Sequence, residues 1–127
     1  MIVLDASAVV LALLNDGEAR RVLATETVVI PHLADSEVAH ALRGQVLRGH
    51  VEAVDAQRAL ARWARVGVRR FAVVGLLARV WELRDNLTAY DATYVALAEA
   101  LGYELVTADA RLASAPGPRC TIVVVRQ

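Results

Sequence analysis

Lysine is absent from this chain: all fourteen cationic side chains are arginine. The codon usage of a GC-rich genome accounts for that without invoking function, yet the absence still excludes every mechanism that needs a lysine. Cysteine occurs once, at Cys120, so no intrachain disulfide can form and a reducing compartment is expected. With one cysteine and three scattered histidines, no ligand set with zinc spacing exists. Excess charge of either sign is also missing, because fourteen acids balance the fourteen arginines. No global field then draws the molecule towards nucleic acid, and any such contact must be a local patch. Long apolar runs are lacking too, none approaching the roughly 18–20 residues of a membrane span. The segment Ala8 to Leu14 has the apolarity of a signal-peptide core. However, no basic residue precedes it, Asp5 interrupts the run, and Asp16 and Glu18 follow. A soluble, cytoplasmic protein without a membrane partner is expected.

What the chain does have is apolar surface. Its hydrophobic fraction is 57%, above the usual ~45–50% of soluble domains. A compact α/β core accounts for part of this, and the remainder suggests surface reserved for a protein partner. At 127 residues one domain is expected, residues 1–127, with no repeat or linker. Short apolar runs at Ile2 to Leu4 and Val28 to Ile30 read as strands buried on both faces. Arg69 to Val73 is a weaker strand, followed by Glu104 to Thr107 and Thr121 to Val125. Between them helices are predicted over Ala6–Leu14, Glu18–Ala24, about Leu33–Leu47, about Val51–Arg65, about Leu76–Arg84 and from Thr88 to Gly102. A helical turn is predicted at Ala110–Ala113. Strands alternating with helices imply a parallel sheet covered on both faces.

Four acids stand at informative places in that frame. Asp5 closes the first strand and precedes a helix, where an N-cap is the plain explanation. Glu37 falls inside the apolar stripe of Leu33, Ala34, Val38, Ala41 and Leu42 at ~100° per residue. A carboxylate there is costly unless compensated, and a buried pair with an arginine is the structural alternative. Asp35 lies roughly 160° round the same helix and is expected to face water. His40 is near enough to Glu37 for a rim position, although a structural histidine explains it better. Asp91 completes a capping box with Thr88, and Asp109 can cap the turn that follows it. Thr107 precedes Asp109 by two residues, as Ser7 follows Asp5 by two. Each acid alone is a plausible cap. Together they converge on the carboxyl ends of parallel strands, where open α/β sheets bind ligands. Two carboxylates about 4 Å apart repel by ~4 kcal/mol at an effective dielectric of ~20. A cluster of three or four therefore calls for protonation or a cation, and hard oxygen donors select Mg²⁺ or Mn²⁺.

The segments Val3-Leu4-Asp5-Ala6-Ser7-Ala8 and Pro31-His32-Leu33 with Glu37-Val38 now take on a pattern. So do Leu87-Thr88-Ala89-Tyr90-Asp91-Ala92 running into Tyr94-Val95-Ala96-Leu97-Ala98, and Leu105-Val106-Thr107-Ala108-Asp109. In order and spacing the chain resembles the PIN-domain ribonucleases, and within them the VapC toxins of bacterial toxin–antitoxin pairs. The resemblance implies a three-layer α/β/α sandwich on a parallel sheet of four to five strands. It implies an acidic quartet of Asp5, Glu37, Asp91 and Asp109, serving both as catalytic residues and as ligands to Mg²⁺ or Mn²⁺. Thr107 is then the polar helper and Ser7 a support. It also implies RNA hydrolysis leaving a 3′-hydroxyl and a 5′-phosphate, a VapB-type antitoxin whose tail lies over the site, and a homodimer. Trp63, Trp81 and the Leu76 to Leu83 stretch are compatible with such partner surfaces or with core. Arg69, Arg70 and Arg111 are candidates for RNA phosphate contacts, with a solvated surface as the alternative for each. His40 stands where relatives often have asparagine, and Asp35 is an addition.

Two other readings compete. A metal-dependent phosphatase or receiver domain also places acids at strand ends, but both rely on a lysine, and a haloacid-dehalogenase-type phosphatase wants an acid where Ser7 stands. A catalytically silent PIN-fold binding module would use the same acids only as caps.

Overall fold

In the computed structural model, which describes residues 1–126, the first apolar run is strand β1 (Ile2–Leu4), and all three of its residues are buried. It leads through Asp5 into α1 (Ala6–Leu14) and then α2 (Glu18–Thr25). β2 (Val28–Pro31) is equally buried and passes into the long α3 (Leu33–Leu47), followed by α4 (Ala53–Trp63). β3 (Arg69–Phe71) is short and largely exposed. A 3₁₀ turn (Val74–Leu76) and α5 (Leu77–Glu82) follow, then α6 (Ala89–Leu101), β4 (Glu104–Thr107), α7 (Ala110–Ser114) and β5 (Ile122–Val124).

The predicted elements are all present, with shifts at their ends. The helix expected from Val51 starts at Ala53 and ends at Trp63 rather than Arg65. The strand expected to reach Val73 stops at Phe71, and the helix after it opens as a 3₁₀ turn. Glycine explains the second shift: Gly75 sits in that turn, and glycine is a poor helix former.

Every strand pair is parallel, and the order across the sheet is β3-β2-β1-β4-β5. The chain therefore steps outward from β1 in one direction and then returns to its other side. β1 and β4 flank the switch point, in register from Ile2 opposite Glu104 to Leu4 opposite Val106. Helices cover the sheet in the three-layer manner. α1 packs with α2, α3 and α4, whereas α6 packs on β1, β2 and β4 and against α5. Seven consecutive residues of α6, Ala92 to Ala98, are buried. A helix that is apolar all round belongs inside the core, and its alanines allow close approach on several sides. Its end is set by Gly102 at φ +71. There Tyr103 N–H bonds Ala98 O at 3.0 Å and Gly102 N–H bonds Glu99 O at 3.3 Å, the Schellman pattern. Among the described residues no helix is long and apolar enough to cross a membrane.

Candidate active site

Asp5 is the most constrained of the four acids, with a relative exposure of only 5%. It caps α1 by accepting from the Ala8 amide at 3.0 Å. The same Oδ1 takes the Ser7 hydroxyl at 2.6 Å, and Oδ2 takes the Thr107 hydroxyl at 2.6 Å. Three of its roughly four lone-pair directions are thus filled, and one remains. Thr107, fully buried at the end of β4, comes within 3.2 Å of the Ser7 hydroxyl. Ser7 accepts from the Ala108 amide at 3.0 Å, and Thr107 accepts from the Asp109 amide at 3.0 Å. The two polar residues therefore lock the carboxyl ends of β1 and β4 together at the switch point.

The other acids arrive from helices and a turn. Glu37, half-buried on α3, accepts the Tyr94 hydroxyl at 2.6 Å. The compensating partner is a phenol, not the arginine considered from the sequence. Asp91 lies in the first turn of α6, its amide donating to Thr88 Oγ1 at 3.2 Å. Asp109 caps α7 by accepting from the Arg111 amide at 3.0 Å and also pairs with the Arg111 guanidinium at 3.2 and 3.3 Å.

The electrostatics link Asp5, Glu37 and Asp91 to one another and Asp109 to Asp91. Burial is the main cause raising the Asp5 carboxyl, partly offset by its hydrogen bonds, with the Asp91 charge pushing the same way. Burial likewise raises Glu37, against the Tyr94 bond, with Asp91 and Asp5 adding to the rise. Burial raises Asp91, and the Asp109 charge adds to it while Arg111 opposes. Asp109 alone is lowered, chiefly by its hydrogen bond from Arg111. Each of the first three acids is thus less comfortable as an anion than it would be in water, and its neighbours are part of the reason.

That discomfort has a measurable sign. A carboxyl whose folded pKa is raised binds its proton more readily folded than unfolded. Its contribution to stability is greatest at low pH and is lost as pH rises from the unfolded towards the folded value. In chelator at pH 7, Glu37→Gln is expected to stabilise the protein by about 0.5–1 kcal/mol, or roughly 2–4 °C in Tm. The amide oxygen can still accept from Tyr94. Thermal denaturation checks this: the gain shrinks as pH falls towards the ordinary glutamate range, and a lowered Tm at pH 7 contradicts it.

Oxygen-only, mutually repelling donors suit Mg²⁺ or Mn²⁺. Among the described residues, no three acidic, histidine or cysteine side chains form a finished cage for a metal ion. Mg²⁺ does not require one, since it keeps several waters and takes one or two carboxylates directly. The donor set fits such an ion.

Of the remaining predicted residues, Arg70, Asp35 and Trp63 form one cluster, and Arg111 stands beside Asp109. Arg111 is beside Asp109 with its side chain 92% exposed. Arg70 donates to both oxygens of Asp35 at 2.7 and 3.0 Å. Arg69 is exposed, with its guanidinium 5.7 Å from the Phe71 ring centre. Asp35 does not simply face water: besides Arg70 it accepts from the buried Trp63 indole at 2.8 Å, tying α3 to α4 and β3. His40 is exposed and close enough to Glu37 to work against the rise of its carboxyl. Of the two tryptophans, Trp63 is core and Trp81 is 67% exposed. The residue that sequence reasoning did not assign is Tyr94. Its spacing of three from Asp91 was the available signal, since residues three apart share a helix face.

Known proteins resemble the chain over nearly its whole length. A family model described as PIN domain matches residues 2–118. Over 125 residues the chain is 55% identical to Ribonuclease VapC9 of Mycobacterium tuberculosis, covering 98% of each. It is 43% identical over 129 residues to Ribonuclease VapC1 of the same species, covering 98% of this chain and 97% of the relative. Among solved structures, PAE2754 from Pyrobaculum aerophilum superposes with a TM-score of 0.72 at 28% identity, covering 97% of this chain and 83% of that one.

Proposed function

The chain belongs to the PIN-domain family, and within it to the VapC ribonucleases; from this we infer that it is the ribonuclease toxin of a toxin–antitoxin pair, hydrolysing RNA phosphodiester bonds with a divalent cation. The observation that carries this reading is the state of Asp5. Ser7, Thr107 and the Ala8 amide hold its carboxylate at the switch point, with Glu37 and Asp91 close enough to repel it. An N-cap alone needs only the amide bond. A carboxylate clamped from α1 and β4 and facing two others is arranged for a positive ligand.

In this reading Asp5, Glu37, Asp91 and Asp109 hold Mg²⁺ or Mn²⁺. When bound, such an ion supplies Lewis acidity to the phosphate and lowers the pKa of water towards neutrality. The chain's own residues do the rest. Ser7 and Thr107 fix the Asp5 oxygens, so the carboxylate does not reorganise during the reaction. The start of α6 favours charge on Asp91 through its dipole. Asp109 completes the ligand set or orients the attacking water, and Arg111 is placed to exchange Asp109 for an RNA phosphate oxygen. Arg69 and Arg70 are further candidate phosphate contacts on β3, although Arg70 would have to leave Asp35. The expected products carry a 3′-hydroxyl and a 5′-phosphate.

The proposed partners are a VapB-type antitoxin and a second copy of the chain. Exposed Val74, Leu77, Trp81 and Tyr90 provide apolar surface for such contacts. A single domain over residues 1–127, working in the cytoplasm, completes the proposal. The test is cleavage of end-labelled RNA by purified, antitoxin-free protein. Cleavage is expected to stop in excess chelator and to return on adding Mg²⁺ or Mn²⁺. Undiminished cleavage in chelator would overturn the metal reading.

A further inference from the structure

Tyr94 is almost wholly buried, at 1% exposure, so packing alone would be served by phenylalanine. Its hydroxyl is a polar group in the core, and such a group needs partners. Two groups face it. The phenol donates to Glu37 Oε1 at 2.6 Å, and the Ala6 amide lies on its other side. Ala6 is the first residue of α1, where backbone N–H groups lack partners within the helix. An amide N–H can only donate, so the single phenol proton is left to Glu37. One hydrogen bond therefore ties the Glu37 carboxylate on α3 to a residue on α6 one turn beyond Asp91, beside the start of α1 that follows Asp5. All three helices that carry or follow these acids meet at it.

We propose that Tyr94 is a positioning residue for the divalent-ion site: its hydroxyl holds Glu37 by Oε1 and leaves Oε2 as the oxygen offered to the ion. The proposal rests on the metal-dependent reading above. Two features distinguish it from an ordinary buried hydrogen bond. The bond ends on a carboxylate of the site rather than on backbone, and the phenol cannot turn its proton elsewhere without facing the Ala6 amide. Loss of the hydroxyl would leave Glu37 free to swing on three side-chain torsions, while the apolar packing of the ring is kept.

The experiment is a Mn²⁺ titration of the protein alone, without RNA, followed by electron paramagnetic resonance. It compares wild type, Tyr94→Phe, Glu37→Gln and the double variant. Loss of an outer partner to a metal ligand typically weakens affinity about 10–100-fold, and that is the loss expected for Tyr94→Phe. In the Glu37→Gln background the same substitution should change little, because Tyr94 acts through Glu37. Affinity within twofold of wild type in Tyr94→Phe overturns the proposal, as does an undiminished effect in the Glu37→Gln background. A wild-type protein that binds no Mn²⁺ overturns the metal reading itself, a distinguishable failure that takes this proposal with it. Should Tyr94→Phe fold poorly, the Tyr90→Phe/Tyr103→Phe protein leaves Tyr94 as the only one of three tyrosines. Mg²⁺ is then expected to shift its ultraviolet difference spectrum, and a spectrum unmoved at saturating Mg²⁺ overturns the proposal.

Discussion

RNA cleavage by Asp5→Asn is expected to fall by about 10²–10³ in initial rate at saturating Mg²⁺, the cost of deleting one preorganised electrostatic group. Its fold should survive. The two hydroxyls that donate to Asp5 are rotors that can also accept, so Ser7 or Thr107 can take a proton from the new amide. Removing a buried anion also relieves the burial cost that raises the Asp5 carboxyl. The expected pairing is therefore a nearly inactive protein with a near-wild-type Tm. Rates on labelled RNA, with circular dichroism as the control, decide the matter. A variant keeping more than a tenth of the wild-type rate would remove Asp5 from the site.

Trp63→Ala should produce the largest loss of stability, about 3–5 kcal/mol. Against a total of roughly 5–15 kcal/mol for a domain, this corresponds to about 10–20 °C in Tm. Trp63 ends α4 and is one of the largest fully buried side chains, on the same helical face as the buried Ala56 and Ala59. It also donates to Asp35, the carboxylate that Arg70 grips with two bonds. Trp63→Phe keeps most of the buried ring and is expected to cost about 1–2 kcal/mol, since Arg70 still satisfies Asp35. Chemical denaturation of the two variants separates packing from hydrogen bonding. Equal losses would show that the indole N–H, rather than ring volume, is what matters. The pH dependence of this clamp is opposite to that of Asp5, Glu37 and Asp91. The Arg70 bond lowers the Asp35 carboxyl, so its stabilisation is present above the unfolded pKa and is lost as pH falls through the folded one.

These cases also show which parts of the molecule could be read in advance. Strands such as Ile2–Leu4 and helices such as Ala53–Trp63 are legible because burial on both faces, or every third and fourth residue, is written locally. The acids at strand ends are legible for the same reason. What brings Asp5 beside Thr107, 102 positions away, is the return of the chain to the free side of β1, which no local pattern encodes. Asp35 illustrates the limit. Its angular separation from Glu37 was correct, but the side away from Glu37 is occupied by Trp63 and Arg70, residues 28 and 35 positions on. The same applies to Glu37, whose partner proved to be Tyr94, 57 positions on. Helical spacing assigns faces, and only the packing of helices assigns what a face meets.

The lock between β1 and β4 also bears on how such a protein is made. Synthesis runs from the N-terminus at roughly 5–20 residues per second, so Asp5 and Ser7 leave the ribosome long before Thr107 and Asp109 exist. Until β4 emerges, Asp5 lacks the Thr107 hydroxyl, Ser7 lacks the Ala108 amide, and the central strand has an open edge where Ile2 to Leu4 will pair. Nearly the whole chain must therefore be translated before the four carboxylates can share a rim. A nascent or truncated chain lacking β4 carries three of the four acids but only the Ser7 and Ala8 side of the clamp on Asp5. Activity consequently arises as a late, all-or-none event in biosynthesis, and a partner already present at that moment would meet the site as it forms.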